Sequence, residues 1–217
     1  YDDVTEDVTE IFLSSTEYLP TINEFNAENP MVKKTHLNCT ITEYVNCIIK
    51  NERIDSPNFI VNPPLDAENI TKFVMSLKKK VKFIPCNIGA AFPKLKYMIL
   101  NEDGIETLSK LELSRLYKLK SLYLKDNEIK TITKDAFDHL ISLEILDLHQ
   151  NEISSILPNT FKSLLKIVKI SLNNNKLTTL DEKTFEFNQN LAEIYLKNNK
   201  ISIQLRRYNY KHTFFEL

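Results

Sequence analysis

The hydrophobic positions of this chain recur with a period of 24 residues through its second half. Residues 119–142 (LKSLYLKDNEIKTITKDAFDHLIS) and 143–166 (LEILDLHQNEISSILPNTFKSLLK) carry Leu, Leu, Leu, Asn, Ile, Ile, Phe and Leu at the same offsets. Copies of the frame L-x-x-L-x-L-x-x-N-x-L start at Leu95, Leu119, Leu143, Ile167 and Leu191. Self-similarity at a period of this length is the signature of stacked structural repeats, so the chain is predicted to form a solenoid.

The first half of each repeat predicts a short strand. Leu122 and Leu124 are two residues apart, and side chains alternate between the two faces of a strand, so both leucines point inward while Tyr123 points outward. One turn cannot bury its own leucines, but turns stacked about 4.8 Å apart form one parallel sheet that does. The second half of the repeat, with Phe137 and Leu140, is predicted to close the far side of the core.

The ninth position of the frame is predicted to form a structural ladder. A buried amide side chain donates and accepts hydrogen bonds at once, so stacked asparagines satisfy the backbone of the turn that leaves each strand. Asp103 occupies this position in the first copy, so the ladder is predicted to start one repeat later. Its members are Asn127, Asn151, Asn175 and Asn199.

The outward strand positions differ from copy to copy, and they are predicted to build a binding surface. Solenoid curvature makes this face concave, and its tyrosines are of a residue type favoured in interfaces. A plain solvated face, or binding elsewhere on the molecule, is the alternative. The predicted partner-binding residues are Tyr97, Ile99, Tyr123, Lys125, Ile145, Asp147, His149, Lys169, Glu193, Tyr195 and Lys197.

The stretch LKSLYLKDNEIKTITKDAFDHL resembles the leucine-rich repeat of extracellular proteins, and the resemblance extends over residues 70–203. The stretch from NCTITEYVNCII through VKFIPCNIGAAFPKLKYMIL is similar to the N-terminal cap and first repeat of secreted insect leucine-rich-repeat proteins, including mosquito immune relatives. The resemblance implies an α/β solenoid with a parallel sheet on its concave face. It also implies a secreted protein that recognises other proteins in innate immunity or at cell surfaces.

Four segments are predicted along the chain. Residues 1–30 form an acidic arm, 31–69 an N-terminal cap, 70–203 the repeat array, and 204–217 an atypical end segment. The array comprises one degenerate repeat whose strand starts 25 residues before Leu95, four full repeats and a partial one. The end segment covers the last turn, marks a truncated chain or forms an association surface.

The cysteines are predicted to serve the cap. Cys39 and Cys47 enclose seven residues, which suits a hairpin closed by a disulfide in an oxidising compartment. Cys86 then remains either as a buried thiol or as one half of an intermolecular disulfide. Asn38 and Asn69 open the two N-x-[ST] sequons and are candidate glycosylation sites.

The acidic arm carries eight acidic residues and no Lys or Arg within residues 1–30. The remainder therefore holds 21 acidic and 28 basic residues, a net charge of +7. Such a charged block is predicted to be a flexible, solubilising leader. Tyr1 and Tyr18, each beside acidic residues, are candidate sulfotyrosines, and docking of the arm onto the basic remainder is a third possibility.

Composition and motifs argue against catalysis and against several partner classes. A net charge of −1 disfavours nucleic acid, and no apolar run is long enough to span a bilayer. The chain lacks H-E-x-x-H, C-x-x-C and G-x-S-x-G motifs, so we predict neither an enzyme nor a metal or cofactor site. The start at Tyr1 fits a mature chain without its signal peptide, or an arbitrary boundary.

The sequence therefore predicts a secreted, extracellular protein-binding scaffold. The rival hypothesis is a structural module that forms homo-oligomers through Cys86 or through the end segment. A redox-labile dimer favours the rival hypothesis, whereas a monomer whose binding falls on loss of Tyr123 favours the scaffold.

Overall fold

The computed structural model describes residues 36–38, 40–42, 46–50, 60–62, 65, 67–78, 81–181, 183–201 and 214–216. Only the backbone is described for residues 36–38, 40–42, 46–50, 60, 62, 76 and 214–216. The arm of residues 1–30 with Tyr1 and Tyr18, the side chain of Asn38, and Cys39 with its predicted disulfide lie outside the described residues.

The described residues form thirteen strands, a 3₁₀ helix over Ala67–Asn69 and helix α1 over Ile88–Ala91. The strands are β1 His36–Asn38, β2 Thr40–Thr42, β3 Asn46–Lys50, β4 Ile60–Asn62, β5 Lys72–Ser76, β6 Tyr97–Ile99, β7 Thr107–Leu108, β8 Ser121–Tyr123, β9 Thr131–Ile132, β10 Ile145–Asp147, β11 Lys169–Ser171, β12 Glu193–Tyr195 and β13 Phe214–Glu216. They pair into a nine-stranded sheet, in the order β13-β12-β11-β10-β8-β6-β5-β3-β2, and two small sheets, β1-β4 and β7-β9.

The sheet repeats the 24-residue period of the sequence. Leu146 is in register with Leu122 on β8 and with Ile170 on β11, and both pairs of strands are parallel. Between β5 and β6 the step is 25 residues, because Lys72 is opposite Tyr97. Each strand therefore places equivalent residues side by side, which keeps the inward row apolar and the outward row variable.

The cap end of the sheet is closed by an antiparallel pair. Strands β2 and β3 run antiparallel, and Cys47 is opposite Ile41 in their register. Strand β3 then pairs in parallel with β5, the first strand of the repeat array. An antiparallel pair of strands thus lies at one end of the parallel sheet.

The core is a continuous column of apolar side chains. The frame residues Leu122, Leu124, Leu146 and Leu148 are fully buried. On the far side, the rings of Phe137, Phe161 and Phe185 stack at centroid distances of 5.5 Å and 5.5 Å. Because this spine repeats with the strands, the second half of each repeat covers the sheet with one aromatic ring per turn.

The buried asparagines join neighbouring turns through their amide groups. Asn151 Oδ1 accepts from the backbone N–H of Ile129 at 3.1 Å, and its Nδ2 donates to the carbonyls of Leu124 and Leu148 at 3.0 and 3.1 Å. Equivalent bonds are made by Asn127, Asn175 and Asn199. The amide of one turn thus satisfies backbone groups of two turns.

Asp103 occupies the same position in the preceding turn but bonds differently. Its Oδ1 accepts from the backbone N–H of Leu77, while its Oδ2 is buried without a hydrogen-bond partner. Burial raises the pKa of the Asp103 carboxyl to about 6, despite the opposing effect of the Leu77 bond. Asn87, just before helix α1, lies outside the ladder positions. It donates to the carbonyl of Val61 at 2.7 Å and accepts from the Val61 N–H at 3.0 Å.

Helix α1 touches the next turn so closely that only glycine fits at Gly89. A Cβ atom there would lie 2.0 Å from the Ser114 carbonyl oxygen and 2.9 Å from the Arg115 carbonyl carbon. Both are backbone atoms, so the contact is not relieved by a change of rotamer.

We expect Gly89→Ala to lower the free energy of unfolding by about 2 kcal/mol, because overpacking against backbone forces the helix away from the array. Equilibrium chemical denaturation measures the change. Ala90→Ser, on the neighbouring half-buried residue, is the control and should cost under about 0.5 kcal/mol. Equal stability of Gly89→Ala and the parent chain would show that the helix shifts freely.

None of the helices in the described part of the chain has the length and apolar composition of a membrane span.

Candidate functional site

The candidate site lies on the outward face of the parallel sheet. It is formed by the outward-pointing side chains of each strand and of the residues that follow it. On β10 the middle residue Leu146 is buried, while Ile145 and Asp147 on either side are half-buried. The same alternation holds on β11 and β12. On β8, Ser121 and Leu122 are both buried, and Tyr123 is half-buried. The face is thus a row of short strands whose outward side chains pack side by side.

A groove of about 430 Å³ opens on this face between β8 and β12. Tyr123 and Tyr195 are two of its walls, three strands apart. The lining residues are Tyr123, Ile145, Leu146, Asp147, Lys169, Ser171, Asn173 and Tyr195. Aromatic and aliphatic walls with one ammonium, one carboxylate and one amide give the groove both apolar and polar contact groups.

A cluster of three side chains holds one end of the groove in place. The Lys169 ammonium lies 2.9 Å from Glu193 Oε2 and 4.7 Å from the centre of the Tyr195 ring. The Tyr195 hydroxyl donates to the same Glu193 oxygen at 2.9 Å. These contacts fix the orientation of the Tyr195 ring, and they combine an ion pair with a cation–π contact.

The same contacts keep the pair charged. The hydrogen bond to Glu193 raises the pKa of the Lys169 ammonium above its usual value. The bonds from Lys169 and from the Tyr195 hydroxyl lower the pKa of the Glu193 carboxyl. Because both groups are solvent-exposed in part, the pair mainly positions Tyr195 and adds little to stability.

Polar residues at the edge of the face are tied to neighbouring turns. Asn101 Oδ1 accepts from the backbone N–H of Lys125 at 2.9 Å, and Asn173 Oδ1 accepts from that of Lys197 at 2.7 Å. His149 Nε2 lies 3.3 Å from Asn174 Nδ2. These bonds rigidify the backbone beside the groove, which lowers the entropy lost when a partner binds.

The structure brings together five of the eleven predicted binding residues in the groove. These are Tyr123, Ile145, Asp147, Lys169 and Tyr195. Outside its lining lie Tyr97, Ile99, Lys125, His149, Glu193 and Lys197, which share the face. Ser171 and Asn173 also line the groove. They occupy outward positions of the repeat frame but were not among the predicted binding residues. Partner binding by all of these residues stays a prediction.

A second groove of about 530 Å³ lies beyond the carboxyl ends of the strands. It is predominantly acidic, and Lys176 pairs with Glu152 across it at 3.0 Å. Its lining residues are Glu102, Asp126, Asn127, Glu128, Gln150, Asn151, Glu152 and Lys176. Within the described part of the chain, no three His, Cys, Asp or Glu side chains converge as a metal site.

The remaining predicted sites lie near the cap. Asn69 ends the 3₁₀ helix and is exposed, and its Oδ1 lies 3.5 Å from Lys94 Nζ. Cys86 is half-buried and precedes helix α1. Glycosylation of Asn69 and the redox state of Cys86 stay predictions.

Three overlapping segments of the chain match the family model described as leucine rich repeat: residues 93–153, 118–168 and 141–201. Together the matches cover residues 93–201, half of the chain. The chain belongs to the leucine-rich-repeat family. The predicted leucine-rich-repeat solenoid is therefore confirmed, with a parallel strand in each turn.

Solved leucine-rich-repeat structures are similar to this chain. A chain in the crystal structure of a TLR13–ssRNA13 complex aligns with a TM-score of 0.64 and 27% identity, over 73% of this chain and 23% of that chain. The APL1 leucine-rich repeat domain aligns with a TM-score of 0.67 and 19% identity, over 77% of this chain and 43% of that domain. The chain thus spans less than half the length of both neighbours. No curated protein sequence matches it.

Proposed function

We propose that this chain is a secreted protein-binding scaffold that recognises its partner through the outward sheet face, in innate immunity or cell-surface recognition. The observation that carries the proposal is the groove between Tyr123 and Tyr195, which is built from the variable positions of the repeats. The constant positions are buried in the core or in the asparagine ladder. The family's fold supports a recognition scaffold, and the proposal includes no catalytic step.

A protein partner suits this face better than nucleic acid. Binding to phosphates requires a surplus of accessible cations, and affinity then depends steeply on salt. Here Lys169 is neutralised by Glu193, and Asp147 lies in the same groove. The neighbour TLR13 was crystallised with ssRNA13, so RNA binding is the second candidate for this chain. Mixed charge with tyrosine walls is typical of protein interfaces.

Site-specific photocrosslinking tests the proposal directly. A photoreactive phenylalanine analogue is placed at Tyr123 in the full chain, and at the exposed Thr179 in a matched control. Both proteins are exposed to extracellular fluid of the source organism, and adducts are identified by mass spectrometry. We expect a discrete protein adduct at position 123 that is absent at position 179. Equal adducts at both positions, or RNA as the adduct, would contradict the proposal.

We expect Tyr123→Ala to weaken binding of the crosslinked partner by at least about tenfold, because truncated interface tyrosines often cost more than 1 kcal/mol. Titration calorimetry with the purified partner gives the dissociation constants. Lys134→Ala, at an exposed residue outside the sheet, is the control and should bind as the parent chain does. If both variants bind equally well, the partner contacts another surface.

A further inference from the structure

Three large apolar side chains are exposed at the same repeat offset, beside the amino-terminal ends of the strands. Tyr117, Ile141 and Leu165 are 45%, 51% and 57% exposed, and they follow one another at 24-residue intervals. Each lies two residues before the residue that opens the next repeat. We call these three residues the flank stripe. In the following repeat the offset holds the polar Gln189.

The flank stripe is not part of the core and lies apart from the sheet-face groove. Roughly half of each side chain is open to solvent, so core packing does not account for three apolar residues in a row. The Tyr117 ring contacts the His139 ring at 5.2 Å, and His139 Nδ1 accepts from the backbone N–H of Arg115 at 3.2 Å. Tyr117 is therefore held in position. Contiguous exposed apolar residues commonly mark an interaction site.

The charges around the flank stripe favour an acidic partner. Lys118 and Lys166, each next to a stripe residue, and Lys96 are exposed. The nearby carboxylate of Glu144 is paired with Lys120 at 2.8 Å. The surface thus presents unburied ammonium groups beside the apolar row, and complementary charge on a partner favours its approach and orientation.

The spacing of the flank stripe suits a helix that lies along the solenoid axis. Neighbouring strands are about 4.8 Å apart in a sheet. The rings of the phenylalanine spine, four residues before the stripe offset in each repeat, stack at 5.5 Å. An α-helix rises about 5.4 Å per turn, so it places one side chain over each stripe residue.

We propose that the flank stripe is a second docking surface, which binds an acidic amphipathic helix of a partner protein. Apolar side chains at positions i, i+4 and i+7 of that helix pack on Leu165, Ile141 and Tyr117, as in other helix-in-groove interfaces. Acidic residues beside them face Lys118 and Lys166. A second copy of this chain packed stripe to stripe is disfavoured, because it brings the same lysines together.

A synthetic helix tests this surface without a known partner. The probe is a capped peptide of about 18 residues, long enough to form an isolated helix. It carries Leu at i, i+4, i+7 and i+11 and Glu on both sides, and a second peptide carries Lys in place of Glu. Fluorescence anisotropy measures binding to the full chain, to Ile141→Ser with Leu165→Ser, and to Leu111→Ser. Leu111 is also exposed but lies at another repeat offset.

We expect the acidic peptide to bind the parent chain, and the double variant to bind at least about tenfold more weakly. Affinity should also fall with added salt, and Lys118→Glu with Lys166→Glu should weaken binding similarly. Leu111→Ser should bind as the parent chain does, and unfolding midpoints should agree because the replaced side chains are half-exposed.

Several outcomes would overturn the proposal. They are no binding of the acidic peptide, equal binding by the double variant, or equal binding of the lysine peptide. If phosphatidylserine vesicles bind the chain through the stripe while the acidic peptide does not, the occupant is a lipid surface. If sedimentation shows a dimer that the double variant loses, the occupant is a second copy.

Discussion

We expect Asn151→Leu to lower the free energy of unfolding by about 3 kcal/mol, because it leaves the buried N–H of Ile129 unpaired, at about 1–3 kcal/mol, and removes one of the two amide hydrogen bonds at each of two buried carbonyls. The two carbonyls are those of Leu124 and Leu148, which still accept from the amides of Asn127 and Asn175 in the variant. Leucine has a similar size but neither donates nor accepts, so the loss isolates the polar function. Equilibrium denaturation of both chains measures the difference.

Asn190→Leu is the matched control for this change. Asn190 Nδ2 donates to the Leu165 carbonyl at 2.7 Å, but the residue is exposed, so water replaces the lost bond. We expect this variant to lose under about 1 kcal/mol. Similar losses for Asn151→Leu and Asn190→Leu would mean that the buried ladder contributes no more than a surface bond.

We expect Asp103→Asn to stabilise the chain at pH 7 by up to about 3 kcal/mol, since about two pKa units at 1.36 kcal/mol each separate the folded and unfolded carboxyl. Asp103 is fully buried, and its Oδ2 has no hydrogen-bond partner. Asparagine removes the buried charge and restores the residue type that bonds on both sides in the next four turns.

The pH dependence has a defined sign. Burial raises the pKa of the Asp103 carboxyl from 3.8 to about 6, so the folded chain holds its proton more tightly than the unfolded chain. The contribution is complete below the unfolded value of 3.8, falls as pH rises toward about 6, and stays lost above it. Asp103→Asn should therefore gain little at pH 4 and most at pH 7.

Denaturation at pH 4 and pH 7 tests this sign, with Glu102→Gln as the control. Glu102 is the exposed neighbour of Asp103, so its replacement removes the same formal charge without burial. We expect a change under about 0.5 kcal/mol for the control at either pH. A parent chain and Asp103→Asn variant that differ equally at both pH values would show that Asp103 does not titrate with folding.

The repeated residues made the strand order and register of the sheet predictable, because a fixed period places equivalent residues side by side in a parallel stack. The alternation in LKSLYLKDN predicts the inward and outward rows from the sequence alone. The first turn was less predictable because it departs from the period. Asn87 bonds to Val61, 26 residues away, although it lies outside the 24-residue frame. Its role follows from packing near α1 rather than from spacing.

The candidate site was predicted as a face but not as a groove. Alternation along a strand shows which side chains share a face, whereas a groove depends on how their rotamers pack. Ser171 and Asn173 line it, whereas Glu193 lies outside its lining and bonds to Lys169 and Tyr195. The flank stripe was visible as a repeated offset, but strand alternation carries no information about residues in the turns between strands.

The backbone conformation of the residue before each ladder position could not be predicted from composition. Glu102, Asp126, Gln150, Asn174 and Asn198 all have φ between 55° and 63°. Such values favour glycine, yet the chain has two glycines in total. The repeat imposes this conformation on other residue types, because the ladder bonds and strand pairing on either side hold the turn.

Hydroxyl-radical footprinting of the parent chain tests the central claim most directly, with the purified partner that crosslinking identifies. Tyrosines report on both candidate surfaces. Tyr123 and Tyr195 line the sheet-face groove, whereas Tyr117 belongs to the flank stripe. We predict that the partner protects Tyr123 and Tyr195 from oxidation and leaves Tyr117 labelled at the rate of the free protein. Protection of Tyr117 alone, with both groove tyrosines labelled as in the free protein, would contradict recognition through the sheet face.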